Sequence, residues 1–260
     1  VIAFMDINGV TFSYDNKLNT LHGIDGSIET GKVTTIIGPN GCGKSTLLGV
    51  LSNHYRPQNG QVVLDGKALT DFKPKELAKR LAVVHQQNNA PSDMTVEKLT
   101  AYGRIPYKSL FSSSTKEDEE AVEWALASTN LLDKRKMPID QLSGGQMQRV
   151  WIAMALTQQT PYLFLDEPTT YLDIYYQYEL LELVRSLNKE HGISIVMVLH
   201  DINQAIRYSD TIIAMKDGQI AAKGAPADII TADAIKEIYG VQVVVKSDEQ
   251  AGMYIVPIGI

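Results

Sequence analysis

The sequence predicts an α/β fold: a mixed sheet core with a helical insertion and an antiparallel β part near the N-terminal end. Three observations carry that prediction. The β-branched run Val33–Ile37 leads into a glycine-rich loop and then into an apolar, helix-forming run at 46–51. Two further runs, at 162–166 and 194–199, are almost continuously apolar, as strands buried on both faces of a parallel sheet are. From about residue 88 to 141 the pattern turns helical, the mark of an insertion in a sheet domain. A chain of 260 residues is large enough to bury a full core. The expected organisation is a single domain over 1–260, with its core at about 1–87 and 142–224, a helical subdomain at about 88–141 and a C-terminal extension at about 225–260.

Taken in order, residues 2–8 and 10–14 alternate well enough to be two strands joined by a turn at Asn8-Gly9. Residues 21–28 add a third strand, and Val33–Ile37 enters the loop. Residues 60–64 form a strand closed by a turn at Asp65-Gly66. A helix over 73–81 and a short buried strand over 82–85 follow. In the insertion, helices are expected at 96–102 and 116–132, with a polar loop at 109–115 between them. A helix at 144–157, the strand at 162–166 and the long helix Ile174–His191 closed by Gly192 come next. The strand at 194–199 precedes the helix Ile202–Tyr208 and a hairpin of 211–215 with 219–223 about Asp217-Gly218. The tail reads as two short helices and strands at 241–245 and 254–256.

Composition narrows the function classes. Apolar residues at 44% and charged residues at 21% are ordinary for a globular chain. A net charge of −6 and a pI near 5.4 argue against general affinity for DNA or RNA phosphates. No apolar run is long enough to span a bilayer, and no charged region followed by a hydrophobic stretch suggests a signal peptide. The first residue is Val1 rather than Met, so a natural start upstream of it is expected. The single cysteine, Cys42, excludes an internal disulfide and fits a reducing compartment. A cytosolic chain able to dock on a membrane protein is the expectation.

The glycine-rich loop is Gly38-Pro39-Asn40-Gly41-Cys42-Gly43-Lys44-Ser45-Thr46, a G-x-x-x-x-G-K-S pattern between a strand and a helix. Its glycines let successive backbone N–H groups turn toward phosphate oxygens, and the following helix presents its positive dipole end. Lys44 is expected to reach the β- and γ-phosphates and Ser45 to ligate Mg²⁺. A second motif, Asp166-Glu167, ends the apolar strand, where ligands of parallel sheets gather. Asp166 suits a water-mediated hold on Mg²⁺, and Glu167 suits a general base that polarises the attacking water. The third, Leu142-Ser143-Gly144-Gly145-Gln146, opens a helix with Ser143 as N-cap and suggests a second anion site. Cys42 lies where a helix N-terminus lowers a thiol pKa; alkylation blocked by ATP is one expectation, an unreactive filler the other.

Together with Leu165-Asp-Glu-Pro-Thr169 and His200-Asp201, these motifs resemble the ATP-binding-cassette family in order and spacing, over nearly the whole chain. The resemblance implies a P-loop NTPase of the ABC type that hydrolyses ATP with Mg²⁺. It implies a head-to-tail dimer of two copies, in which Ser143, Gly144, Gly145 and Gln146 cap the ATP on the partner's loop. By the same likeness Tyr14 stacks on adenine, and Gln86 reaches Mg²⁺ and the attacking water, with Gln87 the adjacent alternative. Asp173 couples the two sites, in a segment where many members carry a small residue in place of Tyr171. His200 bonds the γ-phosphate.

Softer patterns resemble the ATPase subunits of iron–siderophore, haem and cobalamin importers: Phe12-Ser-Tyr14, Tyr102-Gly-Arg104, Thr169-Thr-Tyr-Leu-Asp173, His200-Asp-Ile-Asn-Gln204 and Ile238-Tyr-Gly240. Iron–siderophore import ranks first among these, haem or cobalamin import next, and a soluble non-transport cassette ATPase after them. The implied partners are a second copy, integral-membrane permease subunits and, indirectly, an extracytoplasmic substrate-binding protein, with no nucleic acid. The implied location is the cytoplasmic face of the membrane. The permease is expected on an apolar surface between the sheet core and the helical insertion.

Overall fold

The computed structural model describes residues 4–15, 17–108 and 114–260, which fold as two compact units. The first unit takes Val1–Asp71 and Ser194–Ile260, the second Phe72–Ile193. In chain order the first unit opens with β1 (Phe4–Phe12), β2 (Leu21–Glu29), β3 (Val33–Ile37), α1 (Lys44–Leu51), β4 (Asn59–Leu64) and β5 (Lys67–Ala68). The second holds α2 (Pro74–Leu77), β6 (Leu81–Val84), α3 (Val96–Ala101), α4 (Lys116–Ser128), α5 (Gly144–Leu156), β7 (Tyr162–Leu165) and α6 (Ile174–His191). The chain then returns to the first unit with β8 (Ser194–Val198), α7 (Ile202–Tyr208), β9 (Thr211–Lys216), β10 (Gln219–Gly224), α8 (Pro226–Ile229), α9 (Ala232–Tyr239), β11 (Gln242–Asp248) and β12 (Gly252–Gly259).

In the first unit β3 lies between β8 and β9, parallel to both, and β10 returns antiparallel beside β9. All five residues of β3 and all five of β8 are buried, which is why both read as unbroken apolar or β-branched runs. A separate antiparallel sheet runs β2-β1-β4-β5, the expected N-terminal β part. The tail strands β11 and β12 pair as a hairpin. In the second unit β6 and β7 are parallel, Val84 opposite Leu165, and α5 buries Val150, Trp151, Ile152 and Ala153.

Several expected boundaries move. Asn8-Gly9 is not a turn between two strands. Residues on both sides of it pair with β2 and β4, so the left-handed Gly9 (φ 56) makes a bulge within one strand, its N–H bound to Asp25 Oδ1 at 2.7 Å. The first residues of that expected strand, 2 and 3, lie outside the described residues, as does most of the expected loop at 109–115. The expected helix at 73–81 keeps only four helical residues, because Leu81 is claimed by pairing with Tyr162. The helix expected to reach 132 ends at Ser128, where Asn130 turns left-handed (φ 56).

Candidate functional site

The first unit builds an anion cradle. Strand β3 stops at Ile37, and Gly38 leaves it with φ 151, where a Cβ would lie 2.4 Å from Met215 O and 2.6 Å from Cys42 Sγ. Gly43 (φ 99) is the left-handed N-cap of α1, and its side-chain space is taken by Leu21 and Thr20. No side chain caps this helix, so its first N–H groups face the loop. Lys44 is buried, and its ammonium donates to Gly38 O and Pro39 O, each at 2.9 Å. An ammonium has three protons, so these two carbonyls aim the group and leave one proton for an anion. Asn40, Gly41 and Ser45 are exposed at the cradle, while Thr46 is buried, its hydroxyl 2.9 Å from Tyr14 Oη.

Tyr14 lies just beyond the end of β1 rather than inside a strand. It stands edge-on to Phe12 (4.9 Å) and Tyr55 (5.4 Å) and stays 61% exposed, which leaves a ring face open for a base. Tyr55 had no motif to mark it; only the packed structure shows it as part of this cluster. The β3–β8 register pairs Ile36 with Val198, and Leu199 N–H donates to Ile36 O at 3.2 Å. His200 follows Leu199, one residue past that bond, and the next residue, Asp201, caps α7 through Gln204 N–H at 2.8 Å.

Cys42 corrects an expectation. It is 5% exposed, and burial pushes its thiol up from the ordinary value despite the opposing charge of Lys44. The helix N-terminus is outweighed by desolvation, so the thiol is not activated.

The second unit gathers the acids. Asp166 N–H donates to Val84 O at 3.0 Å, extending the β6–β7 pairing to the strand end. There Glu167 takes a left-handed backbone (φ 49), and its Oε2 accepts from Gln86 Nε2 at 2.6 Å and from Thr170 Oγ1 at 3.2 Å. Of the two adjacent glutamines, Gln86 is the one whose amide meets this carboxylate. Thr170, three residues after Glu167, was not named as a site residue from sequence, although it lies in the quoted Thr169–Asp173 segment and has the i to i+3 spacing of a turn. Ser143 caps α5 in a reciprocal box: its hydroxyl accepts from Gln146 N–H (3.3 Å), and Gln146 Oε1 accepts from Ser143 N–H (3.0 Å). Gly144 opens the helix exposed, whereas Gly145 is buried under the Tyr176 ring, which a Cβ would approach to 3.0 Å. Arg149, one turn on, pairs with Glu179 of α6. Asp173 is the exposed N-cap residue of α6, next to Tyr171, which is 90% exposed.

In the first unit Ser45 offers a hydroxyl oxygen, and in the second Asp166 and Gln86 offer a carboxylate and an amide oxygen, all donor types that Mg²⁺ takes. Among the described residues no group of three His, Cys, Asp or Glu is placed to hold a metal.

A family model described as ABC transporter matches residues 21–170. The chain is 46% identical to the ferric enterobactin transport ATP-binding protein FepC of Escherichia coli (strain K12), over 96% of this chain and 92% of that protein. It is 46% identical to the iron(3+)-hydroxamate import ATP-binding protein FhuC of Bacillus subtilis (strain 168), over 85% and 82%. Among solved structures, an inward-facing putative metal-chelate type ABC transporter superposes with a TM-score of 0.86 at 23% identity, covering 99% of this chain and 98% of that one. The dimeric, post-hydrolysis cassette MJ0796 bound to ADP and Pi superposes with a TM-score of 0.73 at 30% identity, covering 85% and 98%.

Proposed function

The chain belongs to the ABC transporter family as an ATP-hydrolysing cassette, and from that premise we propose that it powers import of an iron–siderophore through a membrane permease. The observation that carries the cargo is the 46% identity, over nearly full length, to a ferric enterobactin transport subunit. It converts ATP and water to ADP and phosphate.

Each site residue takes the role its chemistry supports. Residues 38–46 hold the phosphates with backbone N–H groups and the Lys44 ammonium, and Tyr14 stacks on the base. Ser45 and Asp166, with Gln86, would hold Mg²⁺, which would supply charge neutralisation to the phosphates. Glu167 accepts a proton from the attacking water, His200 steadies the γ-phosphate, and Gln86 and Thr170 set the aim of the Glu167 carboxylate. Catalysis of this kind is positioning and electrostatics, with no covalent work by the protein.

Two copies act head to tail, with Ser143, Gly144, Gly145 and Gln146 completing the partner's site and Asp173 linking the two. The functional division is a core at about 1–87 and 142–224, a helical subdomain at about 88–141 and an extension at about 225–260. Among the described residues no helix is long and apolar enough to cross a membrane. The proposed attachment at the cytoplasmic face runs through permease subunits. A shallow cavity of about 290 Å³ in the second unit, lined by Met94, Lys98, Ala101, Tyr102, Ile105 and Lys108, fits a permease segment. Tyr102 and Ile105 stand about half exposed there, an apolar surface with a cationic rim. A substrate-binding protein acts on the permease and not on this chain.

The test is Glu167→Gln in the complete transporter. ATP binding is kept, while ATP turnover and ferric-siderophore uptake are lost. Normal turnover removes Glu167 as the base. Uptake lost for haem or cobalamin while ferric siderophores still enter reassigns the cargo. A cross-link that places the permease away from Tyr102 and Ile105 removes the docking assignment.

A further inference from the structure

The C-terminal extension touches the nucleotide site of the first unit at two points. Helix α9 ends at Tyr239, and the left-handed Gly240 (φ 71) stops it there. Lys216 Nζ of β9 donates to Glu237 O at 2.7 Å, which fixes the last turn of α9 against the strand that runs beside β3. The Tyr239 hydroxyl is thereby carried next to the phosphate loop, near the Gly38 amide and the Cys42 thiol. The oxygen is fully buried and makes no hydrogen bond of normal geometry. A buried hydroxyl left in that state is a cost to the fold, and such groups mark functional positions. The loop is tied from another side by Gly218 N–H, which donates to Cys42 O at 3.1 Å, and Met215 O lies close against Gly38. Tyr239 therefore meets a loop whose remaining freedom is small.

The second point lies at the start of α7. Asn203, three residues after His200, bonds the backbone of Ile255 twice. Its Nδ2 donates to Ile255 O at 3.2 Å, and its Oδ1 accepts from Ile255 N–H at 2.8 Å. The amide side chain thus pairs with β12 as a peptide group of a further strand does. Ile255 and Val243 are buried on the inner face of the β11–β12 hairpin, so the tie ends on a packed element.

We infer that residues 225–260 are a positioning element of the nucleotide site, holding the phosphate loop through Tyr239 and the segment that carries His200 through Asn203. The tyrosine hydroxyl faces the Gly38 amide and limits where the phosphate loop can sit. The asparagine sets the pitch of α7 and so the aim of His200. This rests on the assignment of residues 38–46 and His200 to ATP, and it adds a function for the extension.

The experiment uses the full chain with Tyr239→Phe, Asn203→Leu and Asn203→Asp, reading MANT-ATP binding, KM, kcat and the thermal midpoint with and without Mg-ATP. Tyr239→Phe keeps the ring, so the fold survives. Its midpoint without nucleotide is not lowered, while its MANT-ATP affinity falls about fivefold, the worth of one hydrogen bond, with the larger loss in KM. Asn203→Leu loses mainly kcat, and Asn203→Asp, which retains the acceptor for Ile255 N–H, recovers part of it. Wild-type affinity in Tyr239→Phe overturns the loop contact. Unchanged kcat per folded molecule in Asn203→Leu overturns the α7 tie. Wild-type protein that binds no MANT-ATP strikes the nucleotide assignment itself, which separates the two failures.

Discussion

Removing the Asp118 carboxylate should destabilise the second unit by an amount that its contacts define. Arg104 and Asp118 are 3% and 4% exposed, and Arg104 Nε donates to Asp118 Oδ1 at 2.7 Å. Asp118 Oδ2 also accepts from Thr115 N–H at 3.1 Å, completing a reciprocal cap at the start of α4. Breaking one side of a buried ion pair costs about 3–5 kcal/mol. Arg104 keeps two acceptors, Thr157 O at 2.9 Å and Gln159 Oε1 at 3.0 Å, and lies 3.8 Å from the Tyr107 ring centre. Those contacts place Asp118→Ala near the lower end, about 3 kcal/mol, or roughly 6–12 °C in thermal midpoint for a chain of this size. Burial raises the Asp118 carboxyl, but the Arg104 and Thr115 contacts outweigh it and hold it below its ordinary value of 3.8. A depressed carboxylate stabilises the fold fully above its unfolded pKa and loses that contribution as pH falls through its folded pKa. The gap between wild type and Asp118→Asn, measured by calorimetry, should therefore be full at pH 7 and narrow below pH 3.8. A midpoint shift under about 1 °C at pH 7, or a gap that widens in acid, would refute the assignment of a stabilising buried pair.

Other outcomes follow from single contacts. Tyr14→Ala should raise KM for ATP about tenfold through lost stacking, and Tyr14→Phe should raise it little, as steady-state kinetics will show. Gly145→Ala pushes a methyl to 3.0 Å from the Tyr176 ring; ATPase activity should fall, with recovery in Gly145→Ala/Tyr176→Leu. Cys42 should react with iodoacetamide more slowly than a free cysteine at pH 7 and faster as pH rises, because burial holds its thiol protonated. Rapid labelling at pH 7 would contradict the buried loop. Thr170→Val removes one donor from Glu167 and should lower kcat with KM for ATP little changed.

Much of the molecule was present in local pattern alone. The strand–loop–helix of residues 33–51 needs apolar burial, glycine freedom and a lysine within one short stretch, so periodicity and residue type suffice to place it. The same holds for the Ser143–Gln146 box and for α6, whose closure by Gly192 was expected and is observed at φ 67. Partner choice is a different matter. Asn8-Gly9 has the chemistry of a hairpin turn, yet shared neighbours make it a bulge, because pairing with β2 and β4 is decided by strands far along the chain. Cys42 sits at a helix start that favours thiolate, yet the packing of the loop buries it and desolvation wins. Gln86 was expected over Gln87 because it directly follows the buried strand; the contact with Glu167 that bears on this choice exists only through the β6–β7 pairing. Tyr239 and Asn203 lie in segments that resemble the importer ATPases, but no role for either follows from sequence, and their reach to Gly38 and Ile255 exists only once α9 and β12 are packed. Residue chemistry and short-range spacing determined which groups form the glycine loop, the strand-end acids and the helix cap. Tertiary structure decided which groups aim them, because aiming depends on contacts between residues that the chain alone leaves far apart.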